Sequence, residues 1–511
     1  MNWKRITALL LAMLMLLPLV GCGSAAPENP PKDTEKETPT ETAAPSAETS
    51  AVPEETAAPA ALYSANLTPV NYGGASFGIF TSNSLNSWTL PTTINHADSE
   101  TGEVVNDALF ARDRWLEETY SVKLNYTVDD VTHTTQVTPM LKNSILAGDT
   151  TYQLVLQDVA TVSKPLTTDG CAYPLNLVPG IQLNAEYWFP ELNEALRFSG
   201  DLYLAASAIS PRFYGSVYLY LFNRELAVDL NLPNLYDIVE SGKWTLDRQY
   251  ELSEAALSDL DGDGAYGNGD RYGLIWEVLT PEAVVLGCGY HIVSSVEGQM
   301  TIQLGNEDLI AILMEMDENF HKDYAFQDGN TKLDTESIIN GGQFLFLNTC
   351  TFNLAEYREL EFDYGILPMP KADEAQEYYI GYAQPWVVVS PIIPITTTGD
   401  TLAITGTLTD AMAAYGVDYL RPAVFDNVIQ MKGTRDEQST RIIGSMFDHV
   451  TFELATIYGF GSLYSTFTSM FNNHGSKKLV STYNKINAAS EAALEKTVDN
   501  YRVITERIRN G

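Results

Sequence analysis

The chain has 511 residues, of which 66 are acidic and 30 are lysine or arginine, so its formal net charge at pH 7 is −36. This excess of negative charge excludes nucleic acid and anionic lipid surfaces as partners, because both are bound through clustered lysine and arginine. The general consequence of such a negative charge is that the protein is soluble outside the cell.

The N-terminus, residues 1–21, has the pattern of a lipoprotein signal peptide. Lys4 and Arg5 precede an apolar run over residues 6–20, and Cys22 follows. A charged start, a short apolar core and small residues before the cleavage point mark an exported chain. Cys22 is therefore the expected site of lipid attachment, which places the protein on the outer face of the cell membrane. The alternative is an ordinary secretory signal with an incidental cysteine.

Residues 22–68 are expected to form a disordered tether that carries the lipid at its first residue. They consist mainly of alanine, proline, threonine, serine and glutamate, without apolar periodicity. Their acidic side chains repel one another and their prolines stiffen the chain. About 440 residues remain, enough for two or three domains at about 150 residues each.

Short strand patterns alternate with helical patterns along the rest of the chain, which predicts an α/β protein with mainly parallel sheets. Apolar residues at helical spacing predict a helix from Val105 to Tyr120 and an amphipathic helix from Tyr483 to Ile508. The predicted strands cover residues 75–81, 123–127, 152–157, 202–206, 217–222 and 386–390.

An acidic loop, residues 259–270, has the spacing of a calcium-binding loop. Calcium takes six to eight oxygen ligands, and a glycine at the sixth position allows the turn that directs the next carbonyl to the ion. The predicted ligands of one structural calcium ion are Asp259, Asp261, Asp263, the main-chain carbonyl of Ala265, and Asp270. The alternative is a glycine- and aspartate-rich turn without metal. A predicted strand follows the loop, where a calcium sensor that opens a pair of helices would have a second helix. The expected role of the ion is therefore to stabilise the fold.

The sequence contains no catalytic motif with the expected structural context, so we expect no enzyme. The serine-hydrolase pattern Gly74–Gly78 places Ser76 inside a predicted strand, whereas that motif requires a strand, a tight turn and then a helix. The six histidines show no metal-ligand spacing. A glycosidase pair of carboxylates stays possible, because such residues pair in space and not along the chain.

Besides Cys22, the chain has Cys171, Cys288 and Cys350. An odd number at wide spacing fits no metal motif and allows at most one disulfide. Buried free thiols are the expected state.

Several short motifs occur in the order and spacing found in family 1 extracellular solute-binding proteins, and the chain resembles that family from about residue 72 to its end. Position 224 is arginine where the family pattern has lysine. The matching segments are residues 106–108 with Arg112 and Glu117–Glu118, 221–227, 235–239, 242–247, the acidic loop with Tyr272–Gly273, 363–371, 435–437 and 447–448.

The resemblance implies two discontinuous α/β lobes joined by a hinge, the type II periplasmic-binding-protein arrangement. Lobe one is expected at residues 69–210 plus 382–430, and lobe two at 211–381 plus 431–511. The ligand would lie in the cleft, and closure would present both lobes to the permease of an ABC importer. We expect a monomer.

A sugar or oligosaccharide is the expected ligand, because a pyranose face stacks on aromatic rings while its hydroxyls need fixed amides and carboxylates. Aromatic residues of the chain could instead pack in the core, and this alternative applies to each predicted ligand contact named below. The alternative functions are binding of a peptide or polyol, or a surface glycoside hydrolase or polysaccharide lyase. The predicted contacts follow strands or flank the hinge crossings: Trp88, Asp158, Tyr214, Trp276 and Trp386.

Overall fold

Two β-sheets with helices around them organise the chain. The computed structural model describes residues 62–84, 93–129, 134–330 and 332–510. These residues belong to one compact unit that spans Ala60–Gly511. Cys22 and Trp88 lie outside the described residues.

The strands are numbered in chain order over the described ranges. They are β1 Ala75–Thr81, β2 Val122–Val128, β3 Leu154–Asp158, β4 Arg197–Phe198, β5 Asp201–Leu202, β6 Tyr218–Asn223, β7 Tyr272–Trp276, β8 Val293–Val296, β9 Gln299–Ile302, β10 Ala325–Gln327, β11 Phe344–Cys350, β12 Tyr364–Leu367, β13 Gly381–Tyr382, β14 Val389–Ile392 and β15 Val450–Thr451.

The α-helices are numbered in the same way, and π-helical segments lie at Gly416–Leu420 and Pro422–Gln430. They are α1 Val104–Tyr120, α2 Thr134–Leu146, α3 Lys164–Thr168, α4 Pro190–Glu194, α5 Arg212–Gly215, α6 Arg224–Asp229, α7 Leu235–Glu240, α8 Leu246–Ala256, α9 Thr280–Gly287, α10 Glu307–Phe320, α11 Thr335–Asn340, α12 Leu354–Tyr357, α13 Gly399–Tyr415, α14 Met431–Gly433, α15 Glu437–Met446, α16 Leu454–Tyr458, α17 Leu463–Asn472 and α18 Leu479–Asn510. No helix in the described ranges is long and apolar enough to span a lipid bilayer.

The first sheet has the strand order β14-β3-β1-β2. Strand β1 pairs in parallel with β2 and β3, and β14 is antiparallel to β3. Every residue of β3 is buried, whereas the edge strand β2 alternates after Val122 between exposed and half-buried residues. An interior strand is covered on both faces, which explains why the first three residues of β3, Leu154, Val155 and Leu156, are all apolar.

The second sheet has the order β10-β7-β11-β6-β12. Strand β7 is parallel to β10 and β11, while β6 is antiparallel to β11 and β12. This sheet is mixed, so the expectation of mainly parallel sheets is wrong for it. Helices pack around both sheets, so each sheet forms the core of one α/β lobe. The strands of the first sheet fall within the ranges predicted for lobe one, and those of the second within the ranges predicted for lobe two.

Two crossings of the chain between the sheets lie side by side. The amide of Gln384 donates a hydrogen bond to the carbonyl of Ser216 at 3.1 Å. Next to it, Val217 and Ala383 form an antiparallel bridge. Strand β13, just before the second crossing, pairs in parallel with β15. The hinge therefore has a hydrogen-bonded framework of its own.

The motifs behind the family resemblance pack against one another. The buried indole of Trp244 donates to the carbonyl of Pro368 at 2.9 Å. Arg224 forms ion pairs with Asp363 at 2.9 Å and Asp436 at 3.3 Å. Asn223 ends β6 and accepts a hydrogen bond from the amide at position 226, which caps helix α6. These motifs are structural, because they join the elements around the second sheet.

The C-terminal helix α18 confirms the predicted amphipathic helix and contacts both lobes. Its first part lies on lobe two, where a Cβ at Gly305 would sit 2.7 Å from the ring of Tyr483. Its second part lies on lobe one, where the Tyr501 and Thr167 hydroxyls are 2.7 Å apart. Assigning all of residues 431–511 to lobe two is therefore wrong for the end of the chain.

The other predicted elements differ mainly at their boundaries. Strand β1 has the predicted bounds, and the predicted helix is α1. The strand expected at 386–390 begins later, as β14, because a turn closed by the Val387 amide on the Gln384 carbonyl precedes it. The strand expected at 202–206 is reduced to β5. Buried free thiols are confirmed at Cys171, Cys288 and Cys350.

Candidate functional site

A cavity of about 410 Å³ lies at the edge of the second sheet, beside the second crossing. Strands β7, β10 and β11 are parallel, so their carboxyl ends meet at this edge. Strand β6 is antiparallel to β11 and therefore contributes its first residue. Ligands of α/β proteins bind at this edge of a sheet. The lining residues are Tyr218, Glu277, Val278, Leu279, Asp328, Phe352, Asn353, Glu356, Tyr357, Gln384, Trp386 and Val387.

Trp386 is the predicted contact that the structure places in this cavity. It lies in the turn before β14 and is partly exposed. Its ring centroid is 6.1 Å from that of Tyr464, in helix α17. A partly exposed indole with support from a neighbouring ring is suited to stack on the apolar face of a ligand.

Glu277, directly after β7, is the deepest acidic group of the cavity. The Tyr218 hydroxyl donates to its carboxylate at 3.1 Å. Its own amide donates to Thr280 Oγ1 at 2.7 Å, which fixes the turn that follows the strand. The residue as a whole is half-buried, but its carboxylate faces inward, and burial raises its pKa to about 7.

The other polar groups of the cavity are held by the end of β11. Asn353 donates from its side-chain amide to Thr349 Oγ1 at 3.0 Å. Gln384 lies across the cavity at the hinge, and Phe352 and Tyr357 add aromatic surface. Fixed amides, a carboxylate and several rings are the groups that bind polyhydroxylated ligands.

The charge of this lining has one sign. Glu277, Asp328 and Glu356 are acidic, and no lysine, arginine or histidine is among the described lining residues. A second carboxylate near Glu277, that of Asp328, contributes to the raised pKa. The cavity therefore repels anions.

Trp276 does not reach the cavity, and its prediction as a ligand contact is corrected. Its side chain is 2% exposed. Its indole stacks on Phe320 at a centroid distance of 5.0 Å and donates to the Phe320 carbonyl at 3.2 Å. The last residue of β7 points into the core, so the following residue, Glu277, is the one that lines the cavity.

Asp158 and Tyr214 are also outside this cavity. The Asp158 carboxylate accepts a hydrogen bond from the Thr161 amide at 2.6 Å and so caps the turn after β3; burial raises its pKa to about 6. Tyr214 lines a separate cavity of about 570 Å³, together with Arg421 and Phe447. We favour the smaller cavity as the ligand site, because it lies at the strand ends. Trp88 lies outside the described residues.

Several cavity residues that the sequence does not predict come after strands of the second sheet. Glu277 follows β7, Asp328 follows β10, and the segment 352–353 follows β11. Strands β10 and β11 are not among the strands that the sequence predicts, so no contact is predicted at their ends. The sequence signal is the first polar residue after a fully buried strand, such as Glu277 after the run Tyr272–Trp276.

The acidic loop brings three of its five predicted calcium ligands together. One carboxylate oxygen each from Asp259, Asp261 and Asp263 lies within 4.8 Å of the other two. Asp270 is instead buried and accepts the amides of Leu260 at 2.8 Å and Gly267 at 2.7 Å, which lowers its pKa. Three clustered carboxylates suit calcium, while Asp270 shapes the loop from inside.

The serine-hydrolase pattern has a structural explanation. Ser76 lies within β1 and accepts a hydrogen bond from Asn125 at 2.7 Å. A Cβ at Gly78 would collide with the main-chain oxygen of Thr151, so glycine is required there for close packing.

Comparisons with known proteins identify the fold. The structure superposes on UspC from Mycobacterium tuberculosis with a TM-score of 0.53 and 12% identity, over 82% of this chain and 100% of that one. UgpB from M. tuberculosis, solved in complex with glycerophosphocholine, gives 0.52 and 15%, over 83% and 99%. A sugar transporter from Rhizobium etli in an open conformation gives 0.52 and 12%, over 84% and 99%.

No protein-family model matches the sequence, and no curated protein matches it. At these identities the structural likeness shows the fold alone. The two-lobed fold expected from the resemblance to solute-binding proteins is confirmed.

Replacing Glu277 with glutamine is expected to reduce the loss of stability that accompanies rising pH. A carboxyl whose pKa is raised from 4.5 to about 7 in the folded protein binds its proton more tightly there than in the unfolded chain. Its contribution to stability is therefore lost as pH rises through this window. The measurement compares the melting temperatures of wild type and Glu277→Gln at about pH 5 and about pH 8.

The control is Glu356→Gln, which removes an exposed carboxylate from the same cavity. Glu282 and Glu453 are also buried, with pKa values raised to about 8 and about 7, so the pH-dependent loss should shrink without vanishing. An equal loss in wild type and Glu277→Gln would show that this carboxylate is solvated.

Proposed function

We propose that this chain, which has the fold of the extracellular solute-binding proteins, is the substrate-binding lipoprotein of an ABC importer and delivers a sugar or oligosaccharide to the permease. The observation that carries the proposal is the cavity at the carboxyl ends of the second sheet, where Trp386 faces fixed polar groups beside the hinge. Fold alone does not determine function, so the chemistry of this cavity is the main argument.

The cavity combines the two kinds of contact that a sugar needs. Trp386, Tyr357 and Phe352 offer aromatic surface for the C–H face of a pyranose ring. Glu277, Asn353 and Gln384 offer a carboxylate and amides for its hydroxyls. A volume of about 410 Å³ accommodates a ligand of one to a few sugar rings.

The charge of the lining favours an uncharged sugar. Three carboxylates without a basic partner in the described lining disfavour uronic acids and sugar phosphates, because like charges repel strongly in a partly desolvated site. Neutral oligosaccharides satisfy the carboxylates through their hydroxyls.

Binding and not turnover is the proposed activity. Calorimetry of the protein against neutral oligosaccharides, with uronic-acid and phosphorylated sugars for comparison, tests the ligand class. Chromatography of the recovered ligand then distinguishes a binding protein, which leaves the sugar intact, from a glycoside hydrolase or lyase, which cleaves it. Stoichiometric binding of an intact neutral sugar is expected.

The anchor and the metal belong to the same proposal. Lipid at Cys22 and the tether over residues 22–68 would hold the binding lobes outside the cell, near the permease. One calcium ion in the acidic loop, held by Asp259, Asp261 and Asp263, would fix the entry to β7, whose end carries Glu277. The chain would act as a monomer, with no nucleic-acid partner.

Truncation of Trp386 to alanine is expected to weaken binding of the identified sugar by about 2 kcal/mol, or roughly thirtyfold in Kd, because a ring that stacks on the ligand is removed. The melting temperature should change little, since the side chain is partly exposed. Calorimetry and thermal unfolding measure the two effects on the same sample.

The matched control is Trp276→Ala, which removes a core tryptophan. Its side chain is 2% exposed, so the cost should appear in stability, at about 3–5 kcal/mol. If Trp386→Ala loses stability and keeps its affinity, the ligand site lies elsewhere.

The Cys22→Ser protein is expected to lose its lipid and leave the membrane fraction. Serine has no thiol to accept the lipid, and the helices in the described ranges provide no alternative membrane span. Metabolic labelling with a fatty acid, followed by fractionation of cells, measures both outcomes. Cys171→Ser, which changes a buried free thiol, is the control. A persistent label on Cys22→Ser would disprove the anchor.

Replacing Asp261 and Asp263 together with alanine is expected to abolish a calcium-dependent rise in melting temperature. An ion that binds only the folded protein stabilises it by mass action, by about 2.7 kcal/mol at a free concentration one hundred times Kd. Thermal unfolding with calcium and with a chelator measures this effect. The same response to calcium in wild type and variant would identify the loop as a turn without metal.

A further inference from the structure

Two histidines and an aspartate from distant parts of the chain meet on lobe two. Asp317 and His321 lie at the end of α10, and His474 follows α17. One potential ligand atom from each residue lies within 4.8 Å of the other two. The Asp317 side chain is 0% exposed, while those of His321 and His474 are 26% and 47% exposed. A buried carboxylate is thus covered by two imidazoles that reach solvent.

Helix geometry and one turn bring these side chains together. Asp317 and His321 are four residues apart, so they share a face of α10 and its last turn. His474 has a left-handed backbone conformation, with φ of 48°, in the turn after α17. Next to it, the Gly475 amide donates to the Met470 carbonyl at 2.9 Å, which closes that turn.

The distance between Asp317 and His474 suits two ligands of one ion better than a direct ion pair. His474 Nδ1 is 3.3 Å from Asp317 Oδ2. A charge-assisted N–H···O⁻ hydrogen bond is about 2.7–2.9 Å long. Neighbouring ligands on a tetrahedral zinc ion, with bonds of about 2.05 Å, lie about 3.3 Å apart.

The His321 ring is held by its own helix through Nδ1, which lies 3.4 Å from Asp317 Oδ1. The same Nδ1 lies 2.8 Å from the main-chain carbonyl of Asp317. A carbonyl only accepts hydrogen bonds, so Nδ1 carries the proton and Nε2 keeps its lone pair. Metal-bound histidines are typically held in this way, with the second ring nitrogen donating to a carbonyl or carboxylate.

We propose that Asp317, His321 and His474 form a binding site for a divalent transition metal of the zinc class. Two imidazoles and one carboxylate are the ligand types that zinc takes, whereas calcium requires oxygen ligands. The exposed side leaves a fourth position for water. None of the three residues lines the sugar cavity, and the acidic loop is a different segment. The ion fastens α17 and the turn after it to α10.

Zinc alone, added to the full chain after treatment with a chelator, tests the site. The melting temperature should rise by roughly 3 °C when free zinc is about one hundred times Kd. His474→Ala should remove the rise, and its exposed side chain makes a folding defect without metal unexpected. No rise in wild type, or the same rise in His474→Ala, overturns the proposal.

Two controls separate this site from other histidines and from the acidic loop. His449→Ala removes an exposed histidine in contact with Tyr378, and it should keep the zinc response. The Asp261→Ala, Asp263→Ala double variant should also keep it, although it loses the calcium response. Loss of the zinc response in either control overturns the assignment.

Cobalt provides a readout that does not depend on stability. Co²⁺ at a tetrahedral site with nitrogen ligands gives intense visible absorption bands, and the wild-type protein should show them. Asp317→Asn and His321→Ala should each lose these bands. A weak spectrum typical of six oxygen ligands in wild type overturns the proposal.

Discussion

The pairing of the two hinge crossings positions one side of the cavity at the edge of the second sheet. The Gln384 amide and the Ser216 carbonyl join the crossings, and the bridge between Val217 and Ala383 continues the contact. Because Tyr218 begins β6, this pairing sets Gln384 and Trp386 opposite the strand ends of the second sheet. Residues of the second crossing, Gln384 and Trp386, thereby line one side of the cavity. The sheet supplies the other wall, with Glu277 at its deepest point.

Buried carboxylates surround this hinge, and main-chain amides accommodate one of them, while the nearest basic group to it, His291 Nδ1, lies 3.9 Å from Glu453 Oε2. Glu453 accepts the main-chain amides of Ile292 at 2.8 Å, Val293 at 3.1 Å and Ala455 at 2.9 Å. Burial raises its pKa to about 7, and raises that of Glu282 to about 8. A carboxyl group in such surroundings binds a proton in preference to carrying an unpaired charge. An acidic chain can therefore place glutamates in its interior near the cleft.

The sequence predicted most of the first lobe and less of the second, for physical reasons. Helix α1 carries a clear period-3.6 pattern. In the second sheet the strands are buried on both faces, so alternation no longer marks their ends. The sequence therefore indicates Trp276, the last buried residue of β7, in place of Glu277, whereas the prediction of Trp386 rests on a proline-containing turn at a crossing. The meeting of His321 with His474 has no local signal, since tertiary packing alone creates it.

Helix α18 changes the mechanical character of the hinge. It rests on lobe two near Gly305 and on lobe one near Thr167, and Arg509 pairs with Asp201 at 2.7 Å. A pair of crossing strands permits both bending and twisting, but a rigid rod docked on both bodies removes some of these degrees of freedom. If the lobes close on a ligand as proposed, they would have to pivot about an axis near this helix or release one of its ends. Any hinge motion would therefore be limited at a point far in sequence from the strands that connect the lobes.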